Sequence, residues 1–235
     1  MMDKYIRVAR VYPAVLGMLP LCILLTLCLE EWFPQYNALI VNMKRVPYLV
    51  ISSTVLSTAL GYFVRELFKD TSKWLFQYPM FKMDETEMPS TKMLLWGEGT
   101  LSPAYHTRIA VKVRETFGTT LPTYKEEQAD SVMAKKRIAE IVSLIRQHCR
   151  GNKILEQYNM EFGFCRNYLG AGVWSILLIT ILSVVNIFHD WLPWQAIIVA
   201  FVAQVLLMMA CFCSLKVKGR TYATYLYATF VGETK

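Results

Sequence analysis

Apolar positions gather into four long blocks, 12–29, 46–67, 169–188 and 192–215. Each meets the roughly 17–20 residues that a helix needs to cross the hydrocarbon core of a bilayer. The pattern therefore predicts four membrane-spanning helices. The first block is short and carries Pro13 and Pro20, which predict a kink or a tilt. Leu29-Glu30-Glu31-Trp32 follows it without a small-residue cleavage site, so a retained helix is expected and not a cleaved signal peptide.

The stretch 68–168 has a different texture. It is irregular and rich in aromatics and methionine as far as Trp96, with an acidic knot of Asp84, Glu85 and Glu87 ahead of Pro89-Ser90-Thr91. The knot reads as a surface loop before a short helix. Two punctuated helices come next. Ser102 is a natural N-cap, Pro103 fits the first helical position and Gly118 marks the stop. Thr123 and Glu126 form a capping box, and Gly151 ends a run that predicts one helix of about 27 residues. At 100° per residue, Ala134, Ile138, Ile141, Val142, Ile145 and Cys149 fall within a sector of about 100°, with Lys135, Lys136, Arg146 and Arg150 in the sector beside it. One face is expected to pack on a core, with a basic stripe alongside.

The expected fold is an all-α integral membrane protein with four transmembrane helices and a helical cytoplasmic domain inserted between helices 2 and 3. Residues 1–67 form an N-terminal transmembrane hairpin, 68–168 the cytoplasmic helical domain, 169–215 a C-terminal transmembrane hairpin and 216–235 a cytoplasmic tail. Tyr222, Tyr225, Tyr227 and Phe230 are expected to extend the fourth helix and to pack on the cytoplasmic domain or at the membrane surface.

Charge sets the orientation. The net charge of +7 is concentrated before the first block, in 65–166 and after Ser214. Lys4, Arg7 and Arg10 precede block one; Arg65, Lys69 and Lys73 follow block two; Lys216, Lys218 and Arg220 follow block four. The turn between blocks three and four has no lysine or arginine, and Lys44 and Arg45 are the only dissenters. The positive-inside rule then places both termini and 68–168 in the cytoplasm, with Trp32, Trp191 and Trp194 at the opposite interface. Cys22, Cys28, Cys211 and Cys213 lie in apolar blocks and behave as small hydrophobes, while Cys149 and Cys165 belong to a reducing compartment. With His106, His148 and His189 as the only histidines, no zinc spacing is formed.

No phosphate loop, zinc-protease histidine pair or nucleophile elbow is present, so an enzyme is not expected. A solvated charged face is the ordinary explanation of a basic stripe. The sharper one is an anion site, most naturally for phosphates, built from Lys135, Lys136, Arg146 and Arg150 and extended by Lys153, Arg166 and Asn167. Tyr158, Phe162 and Phe164 would supply stacking surfaces for bases. In the second block Thr54, Ser57, Thr58, Gly61 and Arg65 fall on one stripe. It serves close helix packing or, with Gln204 in block four, a narrow polar membrane path. Asn186 in block three also needs a partner in hydrocarbon.

Asn159, Gly163, Phe164, Arg166, Asn167 and Gly170, within Tyr-Asn-Met-Glu-Phe-Gly-Phe-Cys-Arg-Asn-Tyr-Leu-Gly (158–170), agree with a threshold motif of a bacterial membrane-protein family. Pro89-Ser90-Thr91, the acidic helix start 126–130 and the Arg146/Arg150 pair precede it in the same order. The chain thus resembles the family that includes the membrane effector of the Hailong anti-phage defence system. The match covers about 75–170, with the spans similar in pattern only. Tyr158, Phe162 and Cys165 depart from the motif, which puts essential roles at 158 and 165 in doubt. The resemblance implies a channel-like homo-oligomer, taken as a tetramer, in the bacterial inner membrane and in contact with its lipids. It also implies a partner nucleotidyltransferase, which makes a short single-stranded DNA oligomer that holds the effector inactive. A ligand on Arg146 and Arg150 would then control Arg166 and Asn167 at the head of the third span. The competing expectation is a non-conducting membrane anchor whose cytoplasmic domain recruits a protein partner. A small secondary transporter would show inverted repeats or broken helices, and none is evident.

Overall fold

The computed structural model describes residues 2–32, 47–81 and 85–232, with the side chains of 2–3 and 29–59 outside the description. All elements assigned among the described residues are helical. In chain order they are α1 (Met2–Ile6), a π-helical turn (Arg7–Val11), α2 (Tyr12–Trp32), α3 (Pro47–Ser72), a second π-helical turn (Lys73–Gln77) and α4 (Tyr78–Phe81). After a 3-10 turn at Glu85–Glu87 come α5 (Pro89–Lys92), a 3-10 turn at Trp96–Glu98, α6 (Pro103–Phe117), α7 (Tyr124–Ala129), α8 (Ser131–His148), α9 (Lys153–His189) and α10 (Trp194–Gly232). Among the described residues, three helical stretches are long and apolar enough to cross a membrane: Lys4–Cys28, Lys153–His189 and Trp194–Gly232. The second expected span falls on α3, whose side chains before Leu60 lie outside the described residues. Helix α2 continues through Pro20 without a break. In the most apolar window of α10 only 11% is buried. So large an apolar surface needs lipid or another subunit to cover it.

The chain divides into two units. The first comprises Met1–Leu75 and Phe164–Cys213, the second Phe76–Gly163 and Ser214–Lys235. The 216–235 tail thus belongs to the second unit, while Arg166, Asn167 and the residues from Lys69 to Leu75 belong to the first.

In unit 1, Leu21, Leu24 and Cys28 of α2 pack with Ile179 and Leu182 of α9, with Leu192, and with Ile197 of α10. Glycine sets the closest approaches. A Cβ at Gly170 would lie 1.9 Å from the Phe68 carbonyl oxygen, so α9 crosses α3 backbone to backbone at this point. At Gly172 a Cβ would instead meet side-chain atoms of Met208 and Gln204 of α10, at 2.6–2.8 Å. Trp174 donates its indole N–H to Thr71 Oγ1 at 2.9 Å, fixing the same pair of helices. Asn167 donates to the Ala9 carbonyl at 2.5 Å, from a fully buried position. Ala9 lies in the first π-helical turn, and a side chain inserted into the backbone ladder is a known cause of such local widening. Asn186 finds its partner in the turn that follows α9: its Oδ1 accepts from Leu192 N at 2.7 Å and its Nδ2 donates to Leu192 O at 2.9 Å. It closes the α9–α10 turn at Asp190, which adopts φ +47°.

In unit 2 the expected helix ends form as read. Ser102 Oγ accepts from Tyr105 N, Pro103 opens α6 and Gly118 closes it at φ +66°. The Thr123–Glu126 capping box is reciprocal. The single long helix expected after it is instead two helices. Asp130 breaks the run with φ −147°, and its carboxylate accepts from Val132 N and Met133 N as the N-cap of α8. An aspartate offers these orphan N–H groups a better acceptor than the continuing helix does. The apolar face of α8 is buried as expected, from Ala134 to Cys149. Its core partners are Ile109 and Val113 of α6, Leu155 of α9, and Ala223, Leu226, Tyr227 and Phe230 of α10. Phe230 stacks on Phe117 with ring centres 5.7 Å apart, and His148 meets it edge-on. The tail is therefore core, not a surface appendage. Full burial of a phenylalanine is worth about 1.5–3 kcal/mol.

Candidate functional site

The basic stripe of α8 meets the acidic knot of its own chain. Lys135 Nζ lies 2.8 Å from Glu87 Oε1, and Lys92 Nζ lies 2.9 Å from Glu87 Oε2. Arg146 Nη2 donates to Ser90 Oγ at 2.8 Å, and its Nη1 lies 3.6 Å from Glu85 Oε1. Hydrogen bonds from Lys135 and then Lys92, working against partial burial, hold the Glu87 carboxyl at about 2. Around this cluster α5 is tightly pinned. Thr91 Oγ1 donates to Glu85 O at 2.6 Å, and the buried Tyr227 hydroxyl donates to Ser90 O. Burial pushes that phenol well above its ordinary value, so it remains a donor.

The stripe residues therefore divide. Lys135 and Arg146 sit against Glu85, Glu87 and Ser90, whereas Lys136, Arg150 and Lys153 are exposed. Arg146 is only partly satisfied: its Nε is buried and has no partner among the described residues. Gly151, at φ +97°, turns the chain between Arg150 and Lys153. Lys136 borders a groove of about 490 Å³ at the α7–α8 break, lined also by Pro122, Met133 and Arg137. Arg166 and Asn167 belong to unit 1 and hold partners there. Arg166 Nε donates to Asn167 Oδ1 at 3.4 Å.

The three aromatics expected to stack on bases are packed within the chain. Phe162 is buried beside Phe81, with ring centres 6.4 Å apart. Tyr158 stacks on Tyr225 at 4.2 Å, next to a Lys218–Glu161 pair at 2.8 Å. Phe164 lies parallel to Tyr168. The apolar rings that the sequence offers a ligand are the same rings the fold needs for packing.

Sequence reasoning missed a buried carboxylate, Glu127. Glu127 accepts from Trp96 N at 2.8 Å and Gly97 N at 2.9 Å, holding the Trp96–Glu98 turn, while the Trp96 ring lies against buried His106 at 3.9 Å. His106 Nε2 pairs with Leu94 O at 2.8 Å. Its only signal in the sequence is a glutamate among the first residues of a helix, where an N-terminal charge preference already explains it.

Of the polar membrane residues, Thr54, Ser57 and Thr58 lie outside the described side chains. Gly61 is exposed, with open space around it. Arg65 lies over the Tyr62 ring at 4.4 Å and pairs with Glu66 at 3.0 Å. Gln204 is fully buried, and both its amide atoms lack a partner among the described residues, as do Ser175 Oγ and the Tyr168 hydroxyl. Tyr168 sits beside Gln204. No family model, curated protein or solved structure matches the chain.

Proposed function

We propose that the chain is an oligomeric, channel-forming membrane effector whose state is set by a short nucleic-acid oligomer bound to unit 2. In this reading it acts in anti-phage defence beside a nucleotidyltransferase. The observation that carries the reading is Arg146. Its Nε is a buried donor lacking an acceptor among the described residues, its salt bridge to the exposed Glu85 is long at 3.6 Å, and Arg150 follows one helical turn later. A phosphate arriving at this end of α8 satisfies a donor that has no acceptor among the described residues and displaces a weak carboxylate contact. Helices α9 and α10 each contribute residues to both units, so repacking in unit 2 acts on helices that also cross the membrane. The buried, unsatisfied Gln204, Ser175 and Tyr168 supply polar groups within the spans, where such groups are functional candidates. Four helices enclose no pore alone, so conduction needs several copies.

The test is to purify the full chain in mild detergent, extract any accompanying nucleic acid and identify it by mass spectrometry. Arg150→Ala/Lys153→Ala, at exposed positions, and Arg146→Ala serve as variants. A defined short oligonucleotide, lost in the variants, is expected. Clean protein that also fails to bind oligonucleotides at low salt, where phosphate contacts are strongest, overturns the reading. A second reading, a non-conducting anchor that recruits a protein partner, is favoured by one observation: Lys135 is already neutralised by Glu87. It predicts no nucleic-acid ligand and no ion flux from liposomes.

A further inference from the structure

Three expected span ends converge in unit 1. Arg10, just before the first span, lies 3.5 Å from Glu66 at the end of the second, and Asn167, just before the third, reaches Ala9. At this level the charges do not balance. Glu66 is shared by Arg10, Arg65 at 3.0 Å, and Lys69, so three cations meet one carboxylate. Lys69 has a second, looser contact with the exposed Asp70 at 3.9 Å. Lys73 stands one turn further along and feels Arg166, Lys69 and Arg10 as neighbouring positive charges. Among the described residues, Arg10, Arg65, Lys69 and Lys73 thus gather around two carboxylates, Glu66 and Asp70. The Nε atoms of Arg10 and Arg65 are buried and have no hydrogen-bond partner among the described residues.

Leaving buried guanidinium donors open is costly, and crowding like charges adds repulsion that only an anion relieves. An anion presenting several oxygens at this height answers both. We infer that Arg10, Arg65, Lys69 and Lys73, with Arg166 nearby, form a site for the phosphate of an anionic phospholipid headgroup. The height selects the lipid source: the cations stand where the apolar blocks end, the level at which headgroup phosphates lie. The site uses none of the α8 residues assigned to the oligonucleotide, and its test is independent of that ligand.

The 235-residue chain in detergent is extracted for lipid, and its thermal unfolding is followed on adding phosphatidylglycerol, phosphatidylcholine or inorganic phosphate alone. Phosphatidylglycerol is expected to be enriched in the extract over zwitterionic lipid and to raise the unfolding temperature, with phosphatidylcholine and inorganic phosphate giving no rise. Arg10→Gln and Lys73→Gln should each weaken the phosphatidylglycerol response about fivefold, the equivalent of roughly 1 kcal/mol per cation near a headgroup. Lys73→Gln leaves all three Glu66 pairs in place, so its effect does not depend on a misfolded variant. Equal enrichment of both lipids, an unchanged response in Lys73→Gln, or an equal rise with inorganic phosphate alone would overturn the assignment.

Discussion

Glu87→Gln is the most informative single perturbation of unit 2. The carboxylate ties α5 to α8 through Lys92 and Lys135, and those two hydrogen bonds hold it at about 2 against 4.5 for an unperturbed glutamate. At roughly 1.36 kcal/mol per pH unit, that separation corresponds to about 3 kcal/mol of preference for the charged form. Lys92 is 39% exposed, and solvent screening of such a pair brings the expected loss to about 1–2 kcal/mol. The sign follows from the depressed folded value. The contribution is complete above the unfolded value near 4.5 and disappears as pH falls toward about 2. Glu87→Gln should therefore unfold about 3–8 °C below wild type at pH 7, and the gap should close on acidification. The measurement is thermal unfolding of the full chain in detergent, paired with hydrogen exchange across 85–98 to locate the loss. A variant as stable as wild type at pH 7, or a gap that persists undiminished at pH 2, refutes the account.

Three further outcomes are expected. Gly170→Ala puts a methyl group where the Phe68 carbonyl already lies; separating α9 from α3 should cost about 3 kcal/mol or more, seen as loss of the monodisperse peak in size exclusion. Asp130→Ala removes the acceptor for Val132 N and Met133 N and should cost about 1 kcal/mol, read in urea unfolding, with faster exchange confined to the start of α8. Gln204→Leu replaces a buried amide that has no partner among the described residues and should raise thermal stability by about 1–2 kcal/mol; a loss of stability would instead mean that a second copy of the chain satisfies that amide.

Signals confined to one or two helical turns were legible. Ser102, Pro103 and Gly118 act through neighbours three or four residues away, and the apolar sector of α8 follows from its angular spacing alone. The capping box at Thr123 was legible for the same reason. It also misled, because a strong start invited a helix that runs past Asp130, where a second N-cap competes and wins. Long-range pairings carried no such mark. Glu87 and Lys135 are 48 residues apart, Ser90 and Tyr227 are 137 apart, and Ala9 and Asn167 are 158 apart. A helical wheel shows that Lys135 and Arg146 share a side of α8, but not that the acidic knot returns to cover that side. The same limit applies to Phe162, whose ring is as suitable for a base as for Phe81 until the fold places one of them there.

The residues between 164 and 170 that suggest the resemblance have different roles in the fold. Asn167 is consumed by a buried hydrogen bond to Ala9 O, Gly170 by a backbone crossing that admits no Cβ, and Phe164 by its contact with Tyr168. Asn167 and Gly170 follow from how helices meet, and Phe164 from a contact within α9 itself. A motif explained by packing transfers an architecture from one protein to another more securely than an activity. Arg166 differs from these, since besides its contact with Asn167 it adds positive charge beside Arg10 and Lys73. Function in this chain is therefore best sought at two concentrations of positive charge: Arg146 and Arg150 at the end of α8, and the cations crowded around Glu66. The two places differ in what each can accept. The first is an exposed helix end with a displaceable carboxylate, suited to a soluble ligand that comes and goes. The second is partly buried at the level of the span ends, suited to an anion that the membrane itself supplies.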